Sequence, residues 1–526
     1  MPSTMRRRLA GSLLLLALPA AAAAQRPDLA ALDRYIEQAR TAWDVPGLAV
    51  AIVKDGRVVL AKGYGVREVG KPQPVDEHTL FAIASNSKAF TAAALATLVD
   101  AGKLGWDDRV RDHLPWFQLY DRYVTDELRI RDLLSHRSGL GTFSGDILWW
   151  GAPFSAEEVV RRTRYLPQAG PFRASYHYNN LMFIAAGEVV RTASGQSWPA
   201  YVRQHLLAPL GMDETVLSVD SLVLRRNVAS PHKRVFPRDT AAGAAGVNRP
   251  LPWHDWDAMA AAGGIISSAS DMAKWLDLQL RGGILPSGDT VFRPRQQLTM
   301  WTVHTPIAVS PASAELYPSM HFRGYGLGWS LHDYQGRKIV SHGGAYDGMY
   351  SQVLLVPEER LGVVVLTNSM TGIASGLANR IADAYLEVAA KDWSTILLER
   401  ERASDQRERE RRAAVVRQTV ANTRPSLPLA SYAGTYGGPL YGNVTVAQEN
   451  GRLVLRMAGG TDLVADLSHL QFDTFRVEWR REYAWFESGI AQFVLAPNGD
   501  VSELKLDIPN QDIFFQELEL KRRPPD

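Results

Sequence analysis

Strand-like apolar runs stand at both ends of one long stretch of this chain, and helix-like runs fill the space between. Leu48 to Val53 and Val58 to Ala61 are short apolar runs joined by Asp55-Gly56. That dipeptide favours the positive-φ turn of a tight hairpin. Ser351 to Val356 and Gly362 to Leu366 read as strands far downstream. Leu29-x-x-Leu32-x-x-x-Ile36 has helical spacing, and Ser87 to Val99, Leu181 to Thr192 and Asp271 to Leu280 are helical candidates, Asp271 being placed as an N-cap. An antiparallel sheet assembled from both chain ends, flanked by helices and carrying a helical subdomain, accounts for that order. The fold class is α+β rather than βαβ alternation.

Beyond this region the texture changes. Residues 373 to 420 look helical, and Glu399 to Arg412 is a dense mixture of Glu and Arg that reads as a solvated helix laced with ion pairs. Arg424-Pro425-Ser426-Leu427-Pro428 breaks it and marks a linker. Alternating runs then follow, among them Val444-x-Val446, Phe475-x-Val477-x-Trp479 and Leu504-x-Leu506-x-Ile508, with Asn450-Gly451 and Asn498-Gly499 as hairpin turns. They predict a small all-β barrel or sandwich, separable and without chemistry of its own. The layout expected is a main domain over 25–392, a charged helix and linker over 393–428, and an all-β domain over 429–526.

The first 24 residues read as an address. Arg6, Arg7 and Arg8 precede the apolar run Leu13 to Leu18, and Ala22-x-Ala24 stands before Gln25 as a cleavage site. A cleaved signal peptide places the mature protein in the periplasm or outside the cell. No later segment has the length of a membrane span. The 526 residues include no cysteine, which excludes disulfides, thiol catalysis, iron–sulfur clusters and Cys-ligated zinc. Fifty-eight basic and 56 acidic residues leave a net charge of +2, with no global pull toward nucleic acid or anionic membrane. None of the 12 histidines falls in a His-Glu-x-x-His pattern, so neither a metal site nor another cofactor is expected.

Ser85-Asn86-Ser87-Lys88 stands at the start of the Ala-rich helix. Residues three apart share a helix face, so Ser85 and Lys88 can touch. A serine hydroxyl needs a base beside it, and a lysine amine becomes one when burial or a neighbouring cation lowers its pKa. A helix N-terminus adds backbone N–H groups near a developing oxyanion. Taken alone, the motif also fits a surface-exposed helix start with a capping serine.

Tyr178-Asn179-Asn180 follows about 90 residues on, and His342-Gly343-Gly344 later still, before a strand read as an edge. The three motifs in this order resemble the serine β-lactamase and penicillin-binding-protein superfamily, and most of all its class C-like branch, which includes DD-peptidases, D-aminopeptidases and carboxylesterases. Leu133-Leu134-Ser135-His136-Arg137-Ser138-Gly139-Leu140, Ala262-Gly263-Gly264-Ile265 and Val364-Val365-Leu366-Thr367-Asn368 agree with it, so that it covers roughly residues 30 to 390. Tyr432-Ala433-Gly434-Thr435-Tyr436 and Phe472-Asp473-Thr474-Phe475 resemble a small β domain often appended to such hydrolases.

The resemblance implies a β-lactamase/transpeptidase-like fold and assigns roles. Ser85 is the implied nucleophile and Lys88 takes its proton. Tyr178 is the second acid–base group, as its tyrosinate or through a proton shared with Lys88. Asn180 hydrogen-bonds a substrate amide, and the backbone N–H groups of Ser85 and Ala345 form the oxyanion hole. Gly343 and Gly344 let a substrate backbone lie close to the strand. Penicillin-recognising members carry Lys-Thr-Gly or Lys-Ser-Gly where this chain has His342-Gly343-Gly344. A histidine there lacks a fixed charge, so carboxylate-bearing substrates lose a contact and a lysine at 342 should favour them. The implied activity is that of an exported serine hydrolase working through an acyl-enzyme. Its expected partner is a small molecule or peptide, cell-wall fragments included: D-amino-acid peptides, small esters or, less, β-lactams. The alternative is a catalytically silent binding or scaffold module of the cell envelope. His136 reads as structural, and Trp149-Trp150 and Trp253-x-x-Trp256 suit either the cleft or the core.

Overall fold

The computed structural model describes residues 27–235, 246–389, 391–417, 419–457 and 463–524. The expected signal peptide lies outside them. Helix α1 (Leu29–Ala42) starts where Asp28 accepts hydrogen bonds from the Ala30 and Ala31 N–H groups. Strands β1 (Gly47–Lys54) and β2 (Arg57–Gly65) form the expected hairpin. Asp55 and Gly56 both take positive φ, 53° and 75°, the turn that matches strand twist. The helices α2 (Ser87–Asp100), α3 (Asn180–Ser194) and α4 (Ala269–Leu280) follow.

The chain then returns to the sheet through β3 (Thr305–Pro306), β4 (Arg323–Tyr325), β5 (Ser330–Tyr334), β6 (Arg337–Tyr346), β7 (Met349–Val356) and β8 (Leu361–Thr367). The eight strands lie in the order β2-β1-β8-β7-β6-β5-β4-β3. N-terminal β1 pairs with late β8, Leu48 opposite Thr367 and Lys54 opposite Leu361. The sheet from both chain ends is therefore real. Alternation along these strands feeds two cores. Leu48, Val50, Ile52, Val363 and Val365 pack against α1 and α5 (Ile373–Tyr385), while Ala49, Ala51, Val53, Val364 and Leu366 face the helical side that holds α2. Both faces are covered, which is why these strands read as unbroken apolar runs.

Two local expectations need correction. Asp271 is not the cap of α4; Ser268 is, accepting from the Asp271 N–H. Asp271 is instead buried and accepts from the Glu214 and Thr215 N–H groups and the Thr215 hydroxyl. The single helical stretch expected over 373–420 is two helices, α5 and α6 (Trp393–Arg417).

The C-terminal strands are β9 (Gly434–Gly438), β10 (Gly442–Glu449), β11 (Arg452–Arg456), β12 (Val464–Gln471), β13 (Thr474–Trp479), β14 (Gly489–Leu495), β15 (Val501–Asp507) and β16 (Leu520–Arg522). They close into an eight-stranded barrel, so every strand edge is paired. The barrel is packed against the rest of the protein. One continuous hydrophobic core runs from α2 and α3 into the barrel interior. Trp485 stacks on Trp150 with ring centroids 5.0 Å apart. Asp347, at the β6–β7 turn, accepts from the Ala484 and Trp485 N–H groups at 2.7 and 3.1 Å. His254 Nε2 stands 2.9 Å from its other oxygen.

Asp347 is fully buried, so removing its carboxylate strands two barrel N–H groups away from water. Asp347→Ala is expected to cost about 2–5 kcal/mol of stability, the range for breaking a buried charged network. Calorimetric unfolding checks this; an unchanged transition would show that the barrel is held by apolar contact alone.

Candidate active site

Ser85 sits on a 3-10 turn, Ala84–Asn86, one residue ahead of α2. Ala84 before it takes φ +45°, the left-handed region that is costly for a residue with a Cβ. The surroundings over-determine this turn. Ile83 N–H donates to Ile265 O at 3.0 Å, Asn86 Nδ2 to Ser351 Oγ at 2.9 Å, and Ser351 Oγ to Ile83 O at 2.7 Å. In the run from Phe81 to Phe90, Ser85 alone is not buried. The turn thus lifts one hydroxyl out of the core into a cavity of about 320 Å³.

Lys88 is buried beneath it. Its Nζ lies 3.0 Å from Ser85 Oγ, 2.7 Å from Asn180 Oδ1 and 2.8 Å from Ala262 O. Burial lowers the amine from its ordinary value to about 7, opposed by the Asp146 carboxylate. Two protons can stay on the Asn180 and Ala262 oxygens. Loss of the third leaves a lone pair facing the Ser85 hydroxyl.

Asn180 is held on both sides of its amide. Oδ1 accepts from Lys88, and Nδ2 donates to Asp146 Oδ2 at 2.6 Å. Among the described residues the other Nδ2 proton has no partner, so the expected substrate contact has a donor to use. Asp146 is fully buried, and that burial holds its carboxyl well above the usual carboxylate range. Sequence reading missed it. Nothing in Gly145-Asp146-Ile147 marks a buried acid, and its partner Asn180 is far along the chain.

Tyr178 lines the cavity with Lys88 Nζ 4.9 Å from its ring centre. Burial pushes its phenol well above the ordinary value, with the Ser85 hydroxyl as a hydrogen-bond partner acting against it. The neutral phenol, not the tyrosinate, is the resting form. His136 proves structural. Its Nδ1 accepts from the Asn179 N–H at 3.0 Å, and its ring packs 4.1 Å from that of Tyr178. It fixes the segment that carries Tyr178.

Three expectations about the third motif change. Strand β6 is interior, not an edge. Only Arg337 to Ser341 pair with β5, however, because β5 begins at Ser330 and the chain before it turns away to Leu134. His342 to Tyr346 are paired with β7 alone, so a local open edge lies where Ala345 lines the cavity. The glycines are demanded by the fold itself. A Cβ on Gly344 would stand 2.2 Å from Ile83 O, and one on Gly343 2.4 Å from the Tyr350 hydroxyl. His342 does not offer a charge. Nδ1 donates to Gly343 O at 2.6 Å, which leaves Nε2 to accept from the Tyr325 hydroxyl at 2.7 Å. Burial, with Lys88 nearby, lowers the ring to about 3. A lysine at 342 would enter a buried site beside Lys88, not a carboxylate pocket.

Both tryptophan pairs contribute to the walls. Trp149 and Trp256 line the cavity while almost wholly buried, and Trp253 packs 5.1 Å from Tyr346. From the barrel come Trp485 and Asp512, neither singled out in the sequence.

Comparison with known proteins agrees with this geometry. The beta-lactamase family model matches residues 32–387, and a domain of unknown function, DUF3471, matches residues 418–522. The unguisins hydrolase ungD' of Aspergillus campestris is 31% identical over 450 residues, 80% of this chain and 78% of its own. Penicillin-binding protein 4 of Amycolatopsis lactamdurans is 30% identical over 64% of this chain and 84% of its own. Among solved structures, the octameric penicillin-binding protein homologue from Pyrococcus abyssi superposes with a TM-score of 0.59 at 23% identity, covering 94% of this chain and all of its own. EstCE1, a hydrolase with promiscuous acyltransferase activity, gives 0.55 at 20% identity over 68% of this chain and 98% of its own. With these matches, and with Ser85 and Tyr178 lining one cavity above the buried Lys88, the chain belongs to the beta-lactamase family, as a hydrolase of the β-lactamase fold with an appended eight-stranded barrel.

Proposed function

We propose that this protein is an exported serine hydrolase that cleaves amide or ester bonds, in D-amino-acid peptides or small esters, through an acyl-enzyme on Ser85. The observation that carries this reading is a buried Lys88, lowered to about 7, 3.0 Å from the Ser85 hydroxyl. Neutral Lys88 takes the Ser85 proton as the oxygen attacks the substrate carbonyl. The N–H groups of Ser85 and Ala345 receive the oxyanion. Tyr178, a neutral phenol, gives its proton to the leaving group, and the resulting phenolate is reprotonated by the Lys88 ammonium, which holds the proton taken from Ser85. Water then repeats the sequence on the acyl-enzyme. The open edge of β6 from His342 to Tyr346 supports a substrate laid alongside it as an added strand. Export rests on the three-region pattern of residues 1–24. β-Lactams are the weakest substrates in this reading, since His342 is neutral and both its nitrogens are engaged.

Ser85→Ala is expected to lower kcat about 10³-fold or more on p-nitrophenyl esters or D-amino-acid amides, as loss of a catalytic nucleophile does. Retention of a tenth of the activity would remove Ser85 from the mechanism. A fluorophosphonate probe should label the native chain and not this variant. A folded chain that neither labels nor turns over would be the binding module instead.

Lys88→Met and Tyr178→Phe should each be nearly as damaging, and the double variant little worse than either. They handle one proton as a unit, so their losses should not add. Additive losses in kcat would assign them to independent steps.

Activity should rise with pH through a midpoint near 7, because Lys88 works only after losing its proton. Asp146 raises that midpoint only where it is ionised against its own burial, so Asp146→Asn should move the midpoint downward over that range. A pH–rate profile of both proteins checks the sign; an upward shift would mean that Asp146 does not act on Lys88 by charge.

A further inference from the structure

Among the described residues, Asp512 carries the one charged side chain lining the catalytic cavity. It does not come from the family domain but from the barrel, in the segment between β15 and β16. Asn510 builds that segment. Its Oδ1 accepts from the Asp512 and Ile513 N–H groups at 2.9 and 2.6 Å, and its Nδ2 donates to Ile508 O and Ile513 O at 2.8 and 2.7 Å. Ile513, the next residue, is fully buried. Asp512 is therefore presented by a fixed turn rather than by a loose loop.

Among the described residues no hydrogen-bond donor or cation meets its carboxylate, and burial alone moves it, up to about 6. Its charge reaches Tyr178 and Asp146, which places it in the same electrostatic field as Ser85. The rest of the wall offers nothing to balance it: His342 is neutral, and Trp149, Trp256 and Trp485 exclude water without supplying a cation. Arg323 acts on Tyr176 but does not line the cavity. An unpaired carboxylate at the edge of an aromatic cavity is costly unless a ligand cation completes it. The surrounding indoles favour that same cation through their ring faces.

We propose that Asp512 is the anchor for a protonated amine of the substrate, so that the hydrolase acts on acyl donors carrying a free ammonium group within reach of Ser85. This specificity rests on the serine-hydrolase reading above. It also gives the barrel a function: it contributes the residue that sorts substrates, while the family domain contributes the bond cleavage. Anionic substrates are disfavoured by the same charge.

Matched p-nitroanilides test the proposal. D-alanine p-nitroanilide offers an α-ammonium, Nα-acetyl-D-lysine p-nitroanilide a side-chain ammonium, and N-acetyl-D-alanine p-nitroanilide neither. One of the first two should exceed the third at least about tenfold in kcat/KM, the factor a charge-assisted hydrogen bond supplies. Which one does so tells the source of the amine. Asp512→Asn should lower that ratio about tenfold, and Asp512→Glu should restore part of it. A ratio near one in the native protein, or one unmoved by Asp512→Asn, overturns the proposal. Binding gives a readout independent of turnover and of how Asp512→Asn folds. In the Ser85→Ala protein, calorimetry should find either D-alaninamide or Nα-acetyl-D-lysinamide bound at least about tenfold more tightly than N-acetyl-D-alaninamide. Equal affinities would overturn the amine anchor. Undiminished turnover in Ser85→Ala would instead overturn the serine reading and leave the anchor standing.

Discussion

A lysine amine held in the interior sets the terms for everything around it. Lys88 lies in α2, which is buried almost all round, and an ammonium there is penalised by its desolvation. The structure answers with three oxygen partners, those of Ser85, Asn180 and Ala262, and with the Asp146 carboxyl behind Asn180. Each partner comes from a different stretch of chain, so the pocket exists only when the helical subdomain is assembled. The same burial that costs stability makes the amine a base near neutral pH. Stability and chemistry here are two consequences of one desolvation.

The strained turn before Ser85 is bought by that assembly. Ala84 keeps its left-handed backbone because Ile83, Asn86 and Ser351 are bonded to one another and to Ile265. Gly344 belongs to the same knot, since its missing Cβ leaves room for Ile83 O. The His342-Gly343-Gly344 motif is thus first a packing solution. It lets β6 approach the Ser85 turn closely, and the open edge beyond Ser341 then faces the cavity.

The barrel completes what the family domain leaves open. Glu517 accepts from the Gly145 N–H at 2.7 Å, next to Asp146, and Asp347 is tied to the backbone of Ala484 and Trp485. Its contacts therefore reach two loops that shape the cavity, the one holding Asp146 and the β6–β7 turn. Trp485 and Asp512 add a wall and a charge. A module appended in sequence has become part of one site in space.

The sequence by itself determined the elements and the reacting set. Short apolar runs, with Asp55-Gly56 between the first two, placed the β1–β2 hairpin, β7 and β8, and helical spacing placed the helices, because those patterns follow from which faces each residue must bury. Ser85 and Lys88 were legible because three residues on a helical turn is a local distance. Tyr178, Asn180 and the His342 motif were legible through their resemblance to a known order of motifs. Tertiary structure alone decided the rest. It made Asp271 a buried acceptor instead of a cap, turned the supposed edge strand into an interior strand with an open end, and engaged both nitrogens of His342. It also brought Asp146, Trp485 and Asp512 to the cavity from loops with no periodic signal. Burial, charge and hydrogen-bond partners are relations between segments far apart in the chain, and a local pattern carries no record of them.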